Sequence, residues 1–291
     1  MSMKKIGLTL GGGGAKGFAH IPILEVFDEL GIKPYCITGT SIGAIIGALY
    51  ASGHSAKDLA EMLLRLVSIA KKPSFKDLFR NTDTFKFLEL IDPHFSLKPK
   101  GLLKGEKFLS YLYEQMQVNT FEELKIPLKT VATDFWRKEQ VVFESGALLP
   151  AVRASMALPY IFTPVFLNDR VLVDGGLVNN VPHDLLSPQC NIRIAVDIMG
   201  ETSTSKTKIP NPMEAVFHTY NVMMDAMVRE KLENHPVDIY MQPPIIDIDM
   251  LDFHKAEIIY QQGLVAKDDF KRQLEHLLEE KTSLFNWIRQ K

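Results

Sequence analysis

The chain has 291 residues, 46% of them apolar and 23% charged, with a formal net charge of −2, a balance that fits one globular α/β domain over residues 1–291. No basic run exceeds a few residues, so nucleic acid is not an expected partner. Its two cysteines, Cys36 and Cys190, lack the spacing of a disulfide framework or a zinc site, which leaves two free thiols in a reducing compartment as the expectation.

The first strand is expected at Lys5–Leu10. Only Met1-Ser2-Met3-Lys4 precedes it, with no apolar stretch and cleavage site, so a cytoplasmic location is expected. Gly11-Gly12-Gly13-Gly14-Ala15-Lys16-Gly17 follows and leads into a helix to about Gly31. Consecutive glycines at a helix start expose backbone amides, which suits a phosphate or the oxyanion formed when a serine attacks an ester. Gly12, Gly14 and Gly17 also fit a dinucleotide fingerprint. That fingerprint wants an acidic residue at the end of the next strand, about 20 residues on. The chain offers Tyr35-Cys36-Ile37-Thr38 there, so the oxyanion reading is preferred.

A second strand at Tyr35–Thr38 runs into Gly39-Thr40-Ser41-Ile42-Gly43 and a helix to about Ser52. Gly-x-Ser-x-Gly between a strand and a helix is a nucleophile elbow: a sharp turn exposes the serine hydroxyl, and the glycines let neighbouring backbone come close. Ser55 with Asp58 three residues on marks the start of the next helix. Residues 71–117 set Phe75, Phe79, Phe85, Phe87 and Phe95 among lysines and prolines, a pattern that suits either a lid over an acyl chain or a satellite helical cluster.

Later strands are expected at Leu128–Thr133, Gln140–Phe143, Phe162–Leu167, Val171–Val173, Ile192–Asp197 and Val237–Met241. Helices are expected at about Met213–Leu232 and Lys255–Glu280, with a loop at Gly200–Pro212. Alternating strands and helices predict a mostly parallel sheet between helical layers, with reactive loops at the carboxyl ends of the strands. No stretch reaches the roughly 18 consecutive apolar residues of a membrane span. The run Val171-Leu172-Val173-Asp174-Gly175-Gly176 ends a strand on an aspartate in a glycine turn.

With the glycine loop, the serine elbow and Asp-Gly-Gly in that order, the chain resembles the patatin-like phospholipases, a family of serine lipid acyl hydrolases. The likeness extends to Ala154-Ser155-Met156-Ala157-Leu158-Pro159, Phe162-Thr163-Pro164, Asn180-Val181-Pro182, and Asp252-Phe253 leading to Gly263. The resemblance implies a three-layer α/β sandwich and a Ser–Asp dyad without metal or cofactor. Ser41 maps to the nucleophile, Asp174 to the base, and Gly12, Gly13 and Gly14 to the oxyanion hole. Lys16 stands where the family carries a basic residue, and Gly17, Gly39, Gly43, Gly175 and Gly176 complete the motifs. The implied substrate is an acyl ester of a lipid or lysolipid, with peripheral membrane contact.

A Ser–His–Asp triad on an α/β-hydrolase fold fits less well. Only about two strands and one helix fit before Ser41. That order also needs a histidine after the acid, and His183, His218, His235, His254 and His276 carry no flanking turn signature. An aspartate base does need its proton affinity raised by burial or substrate, because an ordinary carboxyl near about 3.9 matches a serine hydroxyl poorly. Two rival functions remain open: a soluble carboxylesterase or thioesterase without a lipid role, and a non-catalytic lipid-binding scaffold.

Overall fold

The computed structural model describes residues 4–70, 114–200, 209–210 and 212–289. The expected lid at 71–117 and the expected loop at 200–212 therefore fall largely outside the described residues.

All eight expected strands form, as one sheet: β1 (Ile6–Leu10), β2 (Cys36–Thr40), β3 (Leu128–Asp134), β4 (Glu139–Phe143), β5 (Val165–Leu167), β6 (Arg170–Asp174), β7 (Ile192–Val196) and β8 (Ile239–Met241). Their order is β5-β6-β3-β2-β1-β7-β8, with β4 also on β3. The pairs β2–β3, β1–β2, β1–β7 and β7–β8 are parallel, and β3–β4, β3–β6 and β5–β6 are antiparallel. Every residue of β1 and β2 is buried, as expected of central parallel strands covered on both faces.

The two faces differ in their cover. Ile6, Leu8 and Leu10 alternate onto the face that shares the main core with Ile37, Ile194 and the helices α1 (His20–Glu29) and α2 (Ile42–Ser52). The opposite face carries small or hydroxylated residues. There the Thr9 and Thr38 hydroxyls bond at 2.8 Å, and Val181, Ala195 and Val228 pack together. Gly7 lies on this face too, and a Cβ built on it would come within 2.9 Å of both Cys190 Sγ and Leu186. The two thiols are free, with their sulfurs 3.5 Å apart.

The cap of α3 (Ala56–Ala70) forms as the sequence suggests: Asp58 Oδ2 accepts from the Ser55 amide at 2.8 Å, and the Ser55 hydroxyl accepts from the Asp58 amide at 3.1 Å. Two helical details differ from expectation. An unexpected helix, α4 (Leu148–Ser155), carries Pro150 in its first turn, where a missing amide costs no intrahelical bond. After α5 (Pro212–Asn234), the single expected helix from Lys255 divides into α6 (Ala256–Leu264) and α7 (Lys267–Arg289). Near the break, a Cβ on Gly263 would sit 2.9 Å from the Ala19 Cα, so the end of α6 lies tight against the segment after the glycine loop. No helix among the described residues is long and apolar enough to cross a membrane.

Candidate active site

Strand register brings the serine and the aspartate together. On one edge of β3, Thr40 at the end of β2 lies opposite Val131, and Asp174 at the end of β6 lies opposite Ala132. β4 occupies the other edge of the same residues. β2 and β6 therefore run toward each other along a single edge and stop head to head. The residue that follows Thr40 is Ser41.

Ser41 holds φ at +54°, a conformation rare outside glycine, and starts α2. The buried Ser155 at the end of α4 braces this strained turn: its hydroxyl accepts the Ser41 amide at 2.9 Å. Removing a hydroxyl that satisfies a buried amide costs about 1–3 kcal/mol. Ser155→Ala is accordingly expected to lower the melting temperature by a few degrees and to reduce turnover about tenfold. Thermal unfolding and steady-state kinetics on the same sample check both.

Asp174 is only 4% exposed. Burial pushes its carboxyl up to about 6, against the opposing pull of hydrogen bonds from the Ser41 side chain and the Gly176 amide. The Gly176 bond measures 2.8 Å. The Thr133 hydroxyl donates to the Asp174 carbonyl and the Thr40 hydroxyl to the Asn179 carbonyl, each at 2.8 Å, which ties the Asp-Gly-Gly turn to both strands.

The glycine loop lies against this pair. A Cβ built on Gly12 would be 3.3 Å from the Ser41 Cβ and 2.5 Å from Asn180 Oδ1. Asn180 clasps Gly12 twice: its carbonyl accepts the Gly12 amide at 3.0 Å, and its side-chain amide donates to the Gly12 carbonyl at 3.3 Å. The Gly12 amide is thus committed. Among the described residues, the amides of Gly13 and Gly14 have no backbone hydrogen-bond acceptor. Gly39 and Gly43 flank the elbow; a Cβ on Gly43 would come within 2.1 Å of the Leu10 carbonyl oxygen. Gly17 packs on Ile42 from the other side of the loop.

Lys16 is buried at 6% exposure and donates its ammonium to the Met199 carbonyl. His20 is fully buried, and burial pushes its imidazole down to about 4, so the neutral ring meets the Gly11 carbonyl at 2.9 Å. It braces the loop from behind. Among the described residues no histidine side chain hydrogen-bonds Ser41 or Asp174. No group of three or more histidine, cysteine or acidic residues among them could hold a metal ion.

Ser155 and Asn180 lie in segments that the sequence singles out, but their roles emerge only from three-dimensional contacts. A polar residue inside Ala154-Ser155-Met156-Ala157 is the available signal: a lone serine in an apolar run needs a partner when the run is buried.

Comparison with known proteins adds the following. Residues 8–187 match the family model described as patatin-like phospholipase. An uncharacterised NTE family protein of Mycobacterium tuberculosis is 31% identical over 218 residues, covering 72% of this chain and 54% of that protein. Lysophospholipase NTE1 of Kluyveromyces lactis is 30% identical over 304 residues, covering 96% of this chain and 20% of the yeast protein. Patatin-like phospholipase domain-containing protein 7 of Rattus norvegicus is 30% identical, with 94% and 22% covered. The chain thus spans about half of the mycobacterial relative and about a fifth of the other two. Among solved structures, VipD from Legionella pneumophila shares the fold at a TM-score of 0.52 and 15% identity, over 92% of this chain and 67% of that one.

Proposed function

The chain belongs to the patatin-like phospholipase family, and from that premise we propose that it is a serine hydrolase cleaving acyl ester bonds of lipids or lysolipids through Ser41 and Asp174. One observation carries the proposal. The head-to-head ends of β2 and β6 deliver a strained serine hydroxyl to a buried carboxyl whose proton affinity is raised to about 6.

In this reading Asp174, ionised at neutral pH, accepts the Ser41 proton as the oxygen attacks the ester carbonyl. The negative oxygen that forms is held by the amides of Gly13 and Gly14, helped by the first turn of α2. Collapse breaks the ester bond, the alcohol leaves with the proton from Asp174, and Ser41 keeps the acyl group. Water, deprotonated by the same carboxylate, then releases the fatty acid. Each step uses side chains and amides of this chain alone.

A lipid substrate presented at a membrane surface fits the family and the exposed aromatic residues on the β3–β6 wing, where Trp136 is 74% and Phe166 72% exposed. Aromatic side chains of this kind settle at lipid–water interfaces. A cytoplasmic setting with peripheral membrane contact belongs to the same proposal, supported by the free thiols Cys36 and Cys190.

The test is labelling of the folded protein with a fluorophosphonate, followed by peptide mapping and by hydrolysis assays on short-chain esters, long-chain lysophospholipids and intact vesicles. Modification at Ser41 with a preference for long acyl chains is expected. An unmodified Ser41 would return the chain to a scaffold role, and equal turnover of short soluble esters would return it to a general esterase.

A further inference from the structure

We propose that Asp197 is a positioning residue for the glycine loop, acting through Met199 and Lys16 to hold the amides of Gly13 and Gly14 where an oxyanion forms. The inference rests on the hydrolase reading above and names a group that takes no direct part in the chemistry.

The four residues Val196-Asp197-Ile198-Met199, which leave the end of β7, run alongside the glycine loop and grip it at both ends. At the near end the Gly11 amide donates to the Val196 carbonyl at 2.9 Å. At the far end the Lys16 ammonium donates to the Met199 carbonyl. Between them a Cβ on Gly13 would lie 3.1 Å from the Ile198 side chain. Residues 196–199 therefore support the loop along its length, beside the clasp of Asn180 on Gly12 and the bond from the Ala15 amide to the Met250 carbonyl.

Asp197 in turn fixes the shape of that segment. It is 1% exposed, and its two carboxylate oxygens have separate tasks. Oδ1 accepts the Met199 amide at 2.9 Å, which folds the segment back on itself, and Oδ2 accepts the Tyr240 hydroxyl at 2.6 Å, which anchors it to β8. The Asp197 amide also donates to the Met241 carbonyl at 2.9 Å. A buried carboxylate needs hydrogen bonds and a nearby cation. Burial pushes the Asp197 carboxyl above its ordinary value, against the hydrogen bonds from Tyr240 and Met199; the neighbouring Asp225, itself paired with Arg229, pushes the same way as burial, and the positive charge of Lys16 pulls back. One buried carboxyl and one buried ammonium thus flank Met199 and connect β8 to the loop without touching Ser41 or Asp174.

Amides that bind only the developing oxyanion act in the transition state and not on bound substrate, so displacing them lowers kcat and leaves KM in place. A displacement of about 1 Å can cost about a hundredfold.

The test compares Asp197→Asn and Tyr240→Phe with wild type and with Ser41→Ala on a soluble p-nitrophenyl ester, measuring kcat, KM, the fluorophosphonate labelling rate and the melting temperature. Asp197→Asn should lower kcat about a hundredfold and Tyr240→Phe about three- to tenfold, with KM within about twofold and labelling slowed in step. Adding Lys16→Gln to Asp197→Asn should bring little further loss, since both changes break one chain of contacts. Should Asp197→Asn fail to fold, Tyr240→Phe decides alone, because it removes one oxygen and keeps the ring. Wild-type kcat in a folded variant, with only the melting temperature lowered, overturns the proposal while an inactive Ser41→Ala leaves the hydrolase reading standing. A Ser41→Ala protein as active as wild type overturns the hydrolase reading itself.

Discussion

Replacing Asp174 by asparagine is expected to lower turnover about a thousandfold or more while making the folded protein harder to melt at neutral pH. The first effect follows from removing the proposed proton acceptor of Ser41, a role worth about a hundred- to ten-thousandfold in comparable catalysts. The second follows from the same burial that raises the carboxyl from 3.8 to about 6. Between those two values the folded state keeps a proton that the unfolded chain has released, so stability falls as pH rises through that window and stays lower above it. A difference of about two pH units corresponds to about 3 kcal/mol. Asparagine is never ionised, so the variant should melt roughly 5 °C above wild type at pH 7.5, an advantage that fades near pH 4. For wild type, kcat/KM should climb about tenfold per pH unit below about 6 and level off above it, because the base works only when ionised. Kinetics and calorimetry across pH 4–8 check the pair of effects. An Asp174→Asn protein with more than a tenth of wild-type activity would remove the carboxylate from the mechanism.

The second large effect is expected at Gly43. An alanine methyl there would meet the Leu10 carbonyl oxygen at 2.1 Å and the Gly11 carbonyl oxygen at 2.7 Å. Both are backbone atoms with no rotamer to yield, so α2 would have to move off β1. Gly43→Ala should cost at least about 3 kcal/mol and abolish labelling of Ser41, because the helix that starts at Ser41 can no longer seat. Gly47, one turn further along α2, supplies the control. The nearest atoms to a methyl there are all in side chains: Ile37 at 3.2 Å, Leu128 at 3.3 Å and Leu10 at 3.7 Å. Gly47→Ala is expected within about 1 kcal/mol of wild type, since better helix propensity offsets mild crowding. Denaturant unfolding of both variants decides; equal stabilities would show that the elbow tolerates displacement.

Much of this architecture was legible from residue order. The strands appear where short apolar or β-branched runs end in turn residues, and the reason is local: a central strand must bury most of its length, so Ile6–Leu10 is apolar but for Thr9 and Ile192–Val196 but for the partly exposed Arg193. Helix α4 is hidden in the sequence because Pro150 interrupts the pattern that reveals a helix, although the first turn tolerates it. The serine and the aspartate could be singled out by motif, but their meeting depends on which edge of β3 receives β6, and register between distant strands leaves no mark in a single sequence. The same holds for the Gly12 amide. Nothing in a row of glycines says that Asn180 occupies one of them.

Only three residue pairs hold β6 on β3: Ala132 with Asp174, Thr133 with Val173, and Asp134 with Leu172. Under the proposed mechanism, Ser41, which emerges during synthesis more than a hundred residues ahead of Asp174, stays chemically idle until this short zipper closes. A ribosome-bound chain halted before β6 would, on that proposal, carry an unactivated hydroxyl until assembly is complete.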